Sequence, residues 1–290
     1  YMKKLAKAIL STLLVFSFSI GTGAVSMAAI KNIDYTSIIN INEYADLIID
    51  NNSNLIAYTP ICGEEPARYK QLDTNVQAIG DFIDGSILML TKDGELYELI
   101  FKNGNPFNEF TKVKMSDNIR SFSVADGCVF TVNKYNEFHI IKRASNYQSI
   151  IPNVRYTYQN YAENVKKAVP IDKDGNGIYL TTDGRLMVKG IKYENDSKAV
   201  TPGQWMVLMR NIKDFYLNPM NDYYSIYVID NENSLYTWGD NTYGQLGNGG
   251  KHSSMTVRYS YSGVNDVNLY SWQIRKVMDN VRYLVFEDGG

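Results

Sequence analysis

The residues that come closest to a chemical site are Asp172-Lys173-Asp174-Gly175-Asn176-Gly177. Oxygen donors at the first, third and fifth positions, with glycine at the sixth, make the first half of a calcium loop. The twelfth position is Asp183, however, and the ninth is Leu180. The intervening 178–182 reads as a strand, which carries Asp183 about 15 Å away at 3.3 Å per residue. Asp172, Asp174 and Asn176 are therefore half a calcium set, with a plain polar turn as the competing reading. No cofactor is expected.

Catalytic patterns are sparse. His139 sits in the apolar run Phe138–Ile141 and reads as a half-buried strand residue, and His252 lies far away without a nucleophile or acid pattern around it. Cys62 and Cys128 form neither a C-x-x-C pair nor a Cys/His cluster, so neither zinc nor a disulfide framework is indicated. Cys128, within Cys128-Val129-Phe130, reads as a buried free thiol, with a Cys62–Cys128 bridge as the alternative. The chain is expected not to be an enzyme. A glycan-active hydrolase is left as an alternative, because carboxylates cannot be paired by sequence spacing in a repeat fold.

Recognition is better represented. The stretch 248–273 is polar and aromatic, holding Arg258, Tyr259, Tyr261, Tyr270 and Trp272 together with His252. It reads as a long loop able to contact a partner, against a merely decorative insertion. Tyr156, Tyr158 and Tyr161 form a second cluster. Net charge is −2 and the isoelectric point near 5.8, without a basic block, which argues against nucleic acid and anionic membranes.

These residues are positioned by a repeat. Asn followed by Ile or Val, often with a basic residue next, recurs at Asn32, Asn75, Asn118, Asn164, Asn211 and Asn280, at intervals of 43, 43, 46, 47 and 69 residues. Leu55, Leu96, Phe138, Leu186 and Leu235 mark a second strand at the same period. Inside a unit, apolar runs flank Asp93-Gly94 and Asp183-Gly184, the signal of a hairpin with a type I′ turn. Several short strands per unit of about 45 residues predict β-propeller blades, and hence an all-β chain. Units begin near 32, 75, 118, 164, 211 and 280, giving about five blades and a partial one. The hairpin partner of the last unit would lie beyond Gly290, so the reading is of a ring truncated from about seven blades.

The N-terminus has its own pattern. Met2-Lys3-Lys4-Leu5-Ala6-Lys7 is basic, 8–20 is apolar, and Ser26-Met27-Ala28 offers small residues for cleavage. This predicts a signal peptide over 1–28, a repeat domain over 29–290, and a secreted product with no membrane span.

At Leu235-Tyr236-Thr237-Trp238-Gly239-Asp240-Asn241-Thr242-Tyr243-Gly244-Gln245-Leu246-Gly247-Asn248-Gly249 the chain resembles the signature of the regulator of chromosome condensation repeat family. Elsewhere the match is degenerate, with Tyr58, Leu99, Ile141 and Lys189 at the Trp238 position. The resemblance implies a propeller, with Trp238, Gly239, Asn241, Gly244, Gln245 and Gly247 in structural roles. The family's best-known activity, nucleotide exchange on a small nuclear GTPase, is not carried over, because no residues match that face and the chain looks exported. Exported bacterial propellers similar to this family are binding proteins, including one type of β-lactamase inhibitor. The expectation is a secreted scaffold that binds an extracellular protein or cell-wall partner, or alternatively inhibits an enzyme.

Overall fold

A computed structural model describes residues 35–42, 45–59, 67–143, 156–190, 204–220, 223–241, 244–247, 255–258 and 267–284. The stretch 1–28, read above as a signal peptide, and Cys62, His252, Tyr259 and Tyr261 lie outside these residues. Among the described residues, no helix is long and apolar enough to cross a membrane.

The architecture is all-β, in five antiparallel sheets. The first holds β1 (Tyr35–Asn42), β2 (Ala45–Asp50), β3 (Leu55–Thr59) and β4 (Arg68–Asp73). The second holds β5 (Val76–Asp81), β6 (Ile87–Thr91), β7 (Leu96–Phe101) and β8 (Phe110–Ser116). The third holds β9 (Ile119–Ala125), β10 (Cys128–Asn133), β11 (Phe138–Arg143) and β12 (Tyr156–Ala162). The fourth holds β13 (Val165–Pro170), β14 (Gly177–Thr181), β15 (Leu186–Lys189) and β16 (Met206–Met209). The fifth holds β17 (Ile212–Met220), β18 (Tyr223–Asp230), β19 (Leu235–Asp240), β20 (Met255–Arg258) and β21 (Val267–Met278), with β21 paired to β19 and β20 outermost. The first four sheets are meanders, and the sheets pack on one another in blade-like fashion, with β1, β5, β9 and β13 in contact in succession.

Why the strands read as they do follows from this stacking. A sheet covered on both faces makes its second strand mostly apolar, and every residue of β6, β10 and β14 is buried. In third strands the side chains alternate between neighbours. Leu186 and Val188 pack with Phe215 and Val228 of the following sheet. Leu99, three residues into its strand, packs instead with Leu47 and Leu55 of the preceding one. Cys128 is a free thiol buried between sheets three and four, and burial pushes its pKa up to about 11.

The recurrent Asn has a structural explanation. Asn75, Asn118, Asn164, Asn211 and Asn280 all adopt left-handed φ between 58° and 65°. The following amide donates into the hairpin turn of the preceding sheet: Val76 to the Ser53 carbonyl, Ile119 to Gly94, Val165 to Asn136, Ile212 to Gly184 and Val281 to Asn233, at 2.8–2.9 Å. The Asn carbonyl in turn accepts from its own sheet's turn, from Lys92, Lys134, Thr182 and Asn231 for the first four. The first four anchors thus join two consecutive hairpins through backbone bonds, to which the side chains of Asn75 and Asn211 add bonds to Asp93 and Asn231.

The same bonds correct the expected turn. Only Gly94 and Gly184 have positive φ (84° and 80°); Asp93 and Asp183 do not. Thr91 N–H donates to the Glu95 carbonyl and Gly94 N–H to Thr91, which makes a three-residue loop ending in a left-handed residue rather than a type I′ turn. A Cβ at Gly94 would lie 3.0 Å from the Ile119 carbonyl, so the turn is shaped by the incoming chain. In the other units Ser53, Asn136 and Asn233 fill this left-handed position.

Asn118→Ala, which puts a Cβ-bearing residue without a local amide at φ 60°, is expected to cost about 1 kcal/mol in urea unfolding. Asn118→Gly should stay within about 0.5 kcal/mol of the parent. Equal losses for both variants would contradict the backbone explanation.

Candidate interaction face

The fifth sheet carries the most polar buried construction. Trp238 is fully buried and packs with Ile178, Leu180, Leu186 and Val188 of the fourth sheet and with Phe215 and Ile226 of its own. Its indole N–H has no acceptor among the described residues, a cost of about 1–3 kcal/mol that the packing has to exceed. Gly239 follows at φ 110°, where a Cβ would come within 2.3 Å of the Tyr224 carbonyl. The chain then turns back over the sheet. Asn241 is buried, and its Oδ1 accepts from Leu246 N–H (3.1 Å); Gln245 Nε2 donates to Asp240 Oδ2 (2.8 Å). Thr237 Oγ1 donates to the Leu246 carbonyl and Tyr227 OH to that of Gln245. Gly244 and Gly247 have positive φ of 82° and 63°, with open space where a Cβ would stand, so the requirement there is conformational.

The Asp172 loop is a self-capped turn between β13 and β14. Asp172 Oδ1 accepts from the amides of Asp174 (2.9 Å) and Asn176 (3.1 Å), and Oδ2 from Asn176 Nδ2 (2.7 Å). Asp50 serves Asn52 and Asn54 in the same way, in a loop with donors at the same three positions but leucine in place of the sixth-position glycine. Lys142 lies against Gly175, and Asp183 is engaged by Thr181 and by Arg185 (2.9 Å). Among the described residues, no group of three His, Cys, Asp or Glu is placed to hold a metal.

The stretch expected to be a long loop is partly a hairpin. β20 pairs with β21 through Arg258 with Val267 and Met255 with Tyr270, so Arg258, Tyr270 and Trp272 lie on strands. Alternation in Val267-Asn268-Leu269-Tyr270-Ser271-Trp272 was the available signal. His139 sits on β11, half-buried, with Nε2 3.6 Å from Glu137.

One cluster escapes sequence reasoning. Glu98, fully buried on β7, accepts from Ser86 Oγ (2.7 Å), Arg143 Nη1 (3.0 Å) and the Tyr156 hydroxyl. It ties the second sheet to the third and fourth strands of the third sheet, β11 and β12. Burial and the neighbouring carboxylate raise the Tyr156 pKa, and Tyr158 OH donates to the Met115 carbonyl (2.6 Å). Two of the three clustered tyrosines therefore join sheets. Tyr161 lies beside Trp205, which packs against Phe130, Phe138 and Tyr179.

Trp238→Ala is expected to cost about 3–5 kcal/mol in urea unfolding, and Trp238→Phe clearly less, since it also removes the unpaired donor. Calcium titrated into the chain by calorimetry should give no heat from the Asp172 loop; saturable heat abolished by Asp172→Asn would reverse that assignment.

Comparisons with known proteins agree with this geometry. The model of the regulator of chromosome condensation (RCC1) repeat matches residues 232–260. Among curated proteins no sequence matches. Similar solved structures include Prp20p from Saccharomyces cerevisiae, described with its binding to Gsp1p and histones, at TM-score 0.50 and 9% identity over 85% of this chain. Yeast RCC1 (Prp20) bound to Kap60 gives 0.47 and 11% over 88%, and YCF48 bound to D1 peptide 0.39 and 11% over 86%, the latter match taking in 95% of that chain. This chain covers 64% of Prp20p and 63% of the Kap60-bound protein. The chain is an all-β protein of the RCC1 propeller type, carrying a recognisable RCC1 repeat in its fifth sheet.

Proposed function

We propose that this chain is an exported, non-catalytic scaffold that holds a protein partner at the cell surface or in the medium. The observation that carries the reading is the latched stack itself. Five sheets joined hairpin to hairpin form a frame with hairpin turns anchored to the following chain. Rigid frames favour recognition, because little order is lost when the partner binds. The side chains that suggest chemistry are engaged elsewhere: Asp172 caps a turn and Glu98 bridges two sheets. The basic and apolar N-terminal stretch with Ser26-Met27-Ala28 supports export.

Expression of the full chain in a secreting host should release a product beginning near Ala29, as read by intact mass. Affinity capture from culture supernatant and wall extract should retain a specific protein. An uncleaved product kept inside the cell, or stimulation of nucleotide release from a small GTPase, would overturn the proposal.

A further inference from the structure

The basic residues that follow the Asn anchors come together in space. Arg120, Lys166 and Lys213 hold the same position of three successive units, on the inner strands β9, β13 and β17. Arg120 Nη1 donates to Asn136 Oδ1 (2.7 Å), and Nη2 to the carbonyls of Lys166 (2.8 Å) and Val165 (3.3 Å). Lys166 Nζ donates to the Lys213 carbonyl (2.6 Å), and Lys213 Nζ to Asn233 Oδ1 (2.7 Å). Each cation therefore reaches the next unit or its own turn, and every one of these acceptors is neutral. The hydrogen bonds fix the positions of the charges without cancelling them.

The carboxylates at this end are mostly engaged with other groups. Asp73 pairs with Lys112, Asp117 with Lys114, Asp183 with Arg185 and Asp214 with Lys167, and Asp93 accepts from the Asn75 amide. Glu163 and Glu232 remain exposed, so the positive field belongs to the inner ring and not to the whole end. Beside the ring, a groove of ≈ 510 Å³ runs between β5 and β9, with Gln77 and Arg120 at one end and Asp81 at the other. Ile79, Phe122 and Ser121 line it. Phe122 can lie there only because residue 80 is glycine, since a Cβ would come within 2.8 Å of its ring. Six residues of β5 give a groove about 20 Å long, which suits an extended peptide of about five residues.

We propose that the inner end of the sheet stack, Arg120, Lys166 and Lys213 with the β5–β9 groove, docks an extended acidic segment of a partner protein. This rests on the scaffold reading above and names the partner's chemistry. Carboxylates would meet the ring while neutral side chains lie in the groove. Three inward charges on a chain of net charge −2 suit a short acidic peptide better than a nucleic acid, which needs a longer basic track.

The test is fluorescence anisotropy of labelled oligoglutamate with the full chain, compared with oligoglutamine and oligothymidylate. Oligoglutamate should bind best, and its affinity should fall with added salt. Arg120→Gln, Lys166→Gln and Lys213→Gln should each weaken binding about twofold to fivefold, and together by tenfold or more, whereas Lys166→Arg should leave it unchanged. Lys112→Gln, on the outer strand β8, serves as control and should have little effect. If the triple variant does not fold, the salt dependence and Lys166→Arg still decide. Equal binding of oligoglutamine, tighter binding of oligothymidylate, or an unchanged triple variant would each refute the docking site. If the triple variant captures the same protein from supernatant as the parent does, only the acidic-peptide proposal fails. If the parent itself captures nothing, the scaffold reading fails with it.

Discussion

A single backbone amide, donated by the residue after each anchor Asn into the left-handed carbonyl of the preceding hairpin, sets the geometry of the stack. A turn that ends in a left-handed residue points that carbonyl out of its own sheet. Buried there without a donor it would cost about 1–3 kcal/mol. The incoming chain supplies the donor, and its own Asn, also left-handed, turns the chain so that the next strand starts beside the last. The bond recurs five times with nearly the same length, so the sheets are spaced by backbone chemistry, and side chains fill what is left.

Packing then follows from alternation. Because each interior sheet has a neighbour on both faces, adjacent residues of one strand belong to different cores, as Leu88 and Met89 do. Trp238 fills the space between sheets four and five, where Leu99 and Ile141 suffice at the corresponding places facing sheets one and two. The buried Glu98–Arg143 pair is the exception to an apolar interface. Ser86 and Tyr156 satisfy the remaining oxygen sites, without which a buried carboxylate would be strongly destabilising.

Charge is sorted by radius at the anchored end. Lysines of the outer strand β8 meet Asp73, Glu95 and Asp117, while on the inner strands Arg120, Lys166 and Lys213 meet carbonyls and amides and Lys167 alone of those named meets a carboxylate, Asp214. Outer pairs in water contribute little to stability, and their effect is to quiet the rim. The inner ring, bound to neutral acceptors, keeps its field.

Much of this was legible in one dimension. The period of the Asn anchors, the apolar runs of second strands and the landmark leucines depend only on local pattern, since side-chain direction alternates residue by residue whatever the neighbours are. Leu55, Leu96, Phe138, Leu186 and Leu235 each open a third strand. The propeller architecture therefore belongs to the sequence. Three features do not. The Asp93-Gly94 turn type was settled by a hydrogen bond to Ile119 of the next sheet, and the strand at 255–258 by an edge it could pair with. The partnership of Glu98 with Arg143 and Tyr156, like the ring formed by Arg120, Lys166 and Lys213, joins residues more than forty positions apart. Contacts at such separation carry no periodic signal along the chain, so only the stacking of whole sheets could decide them.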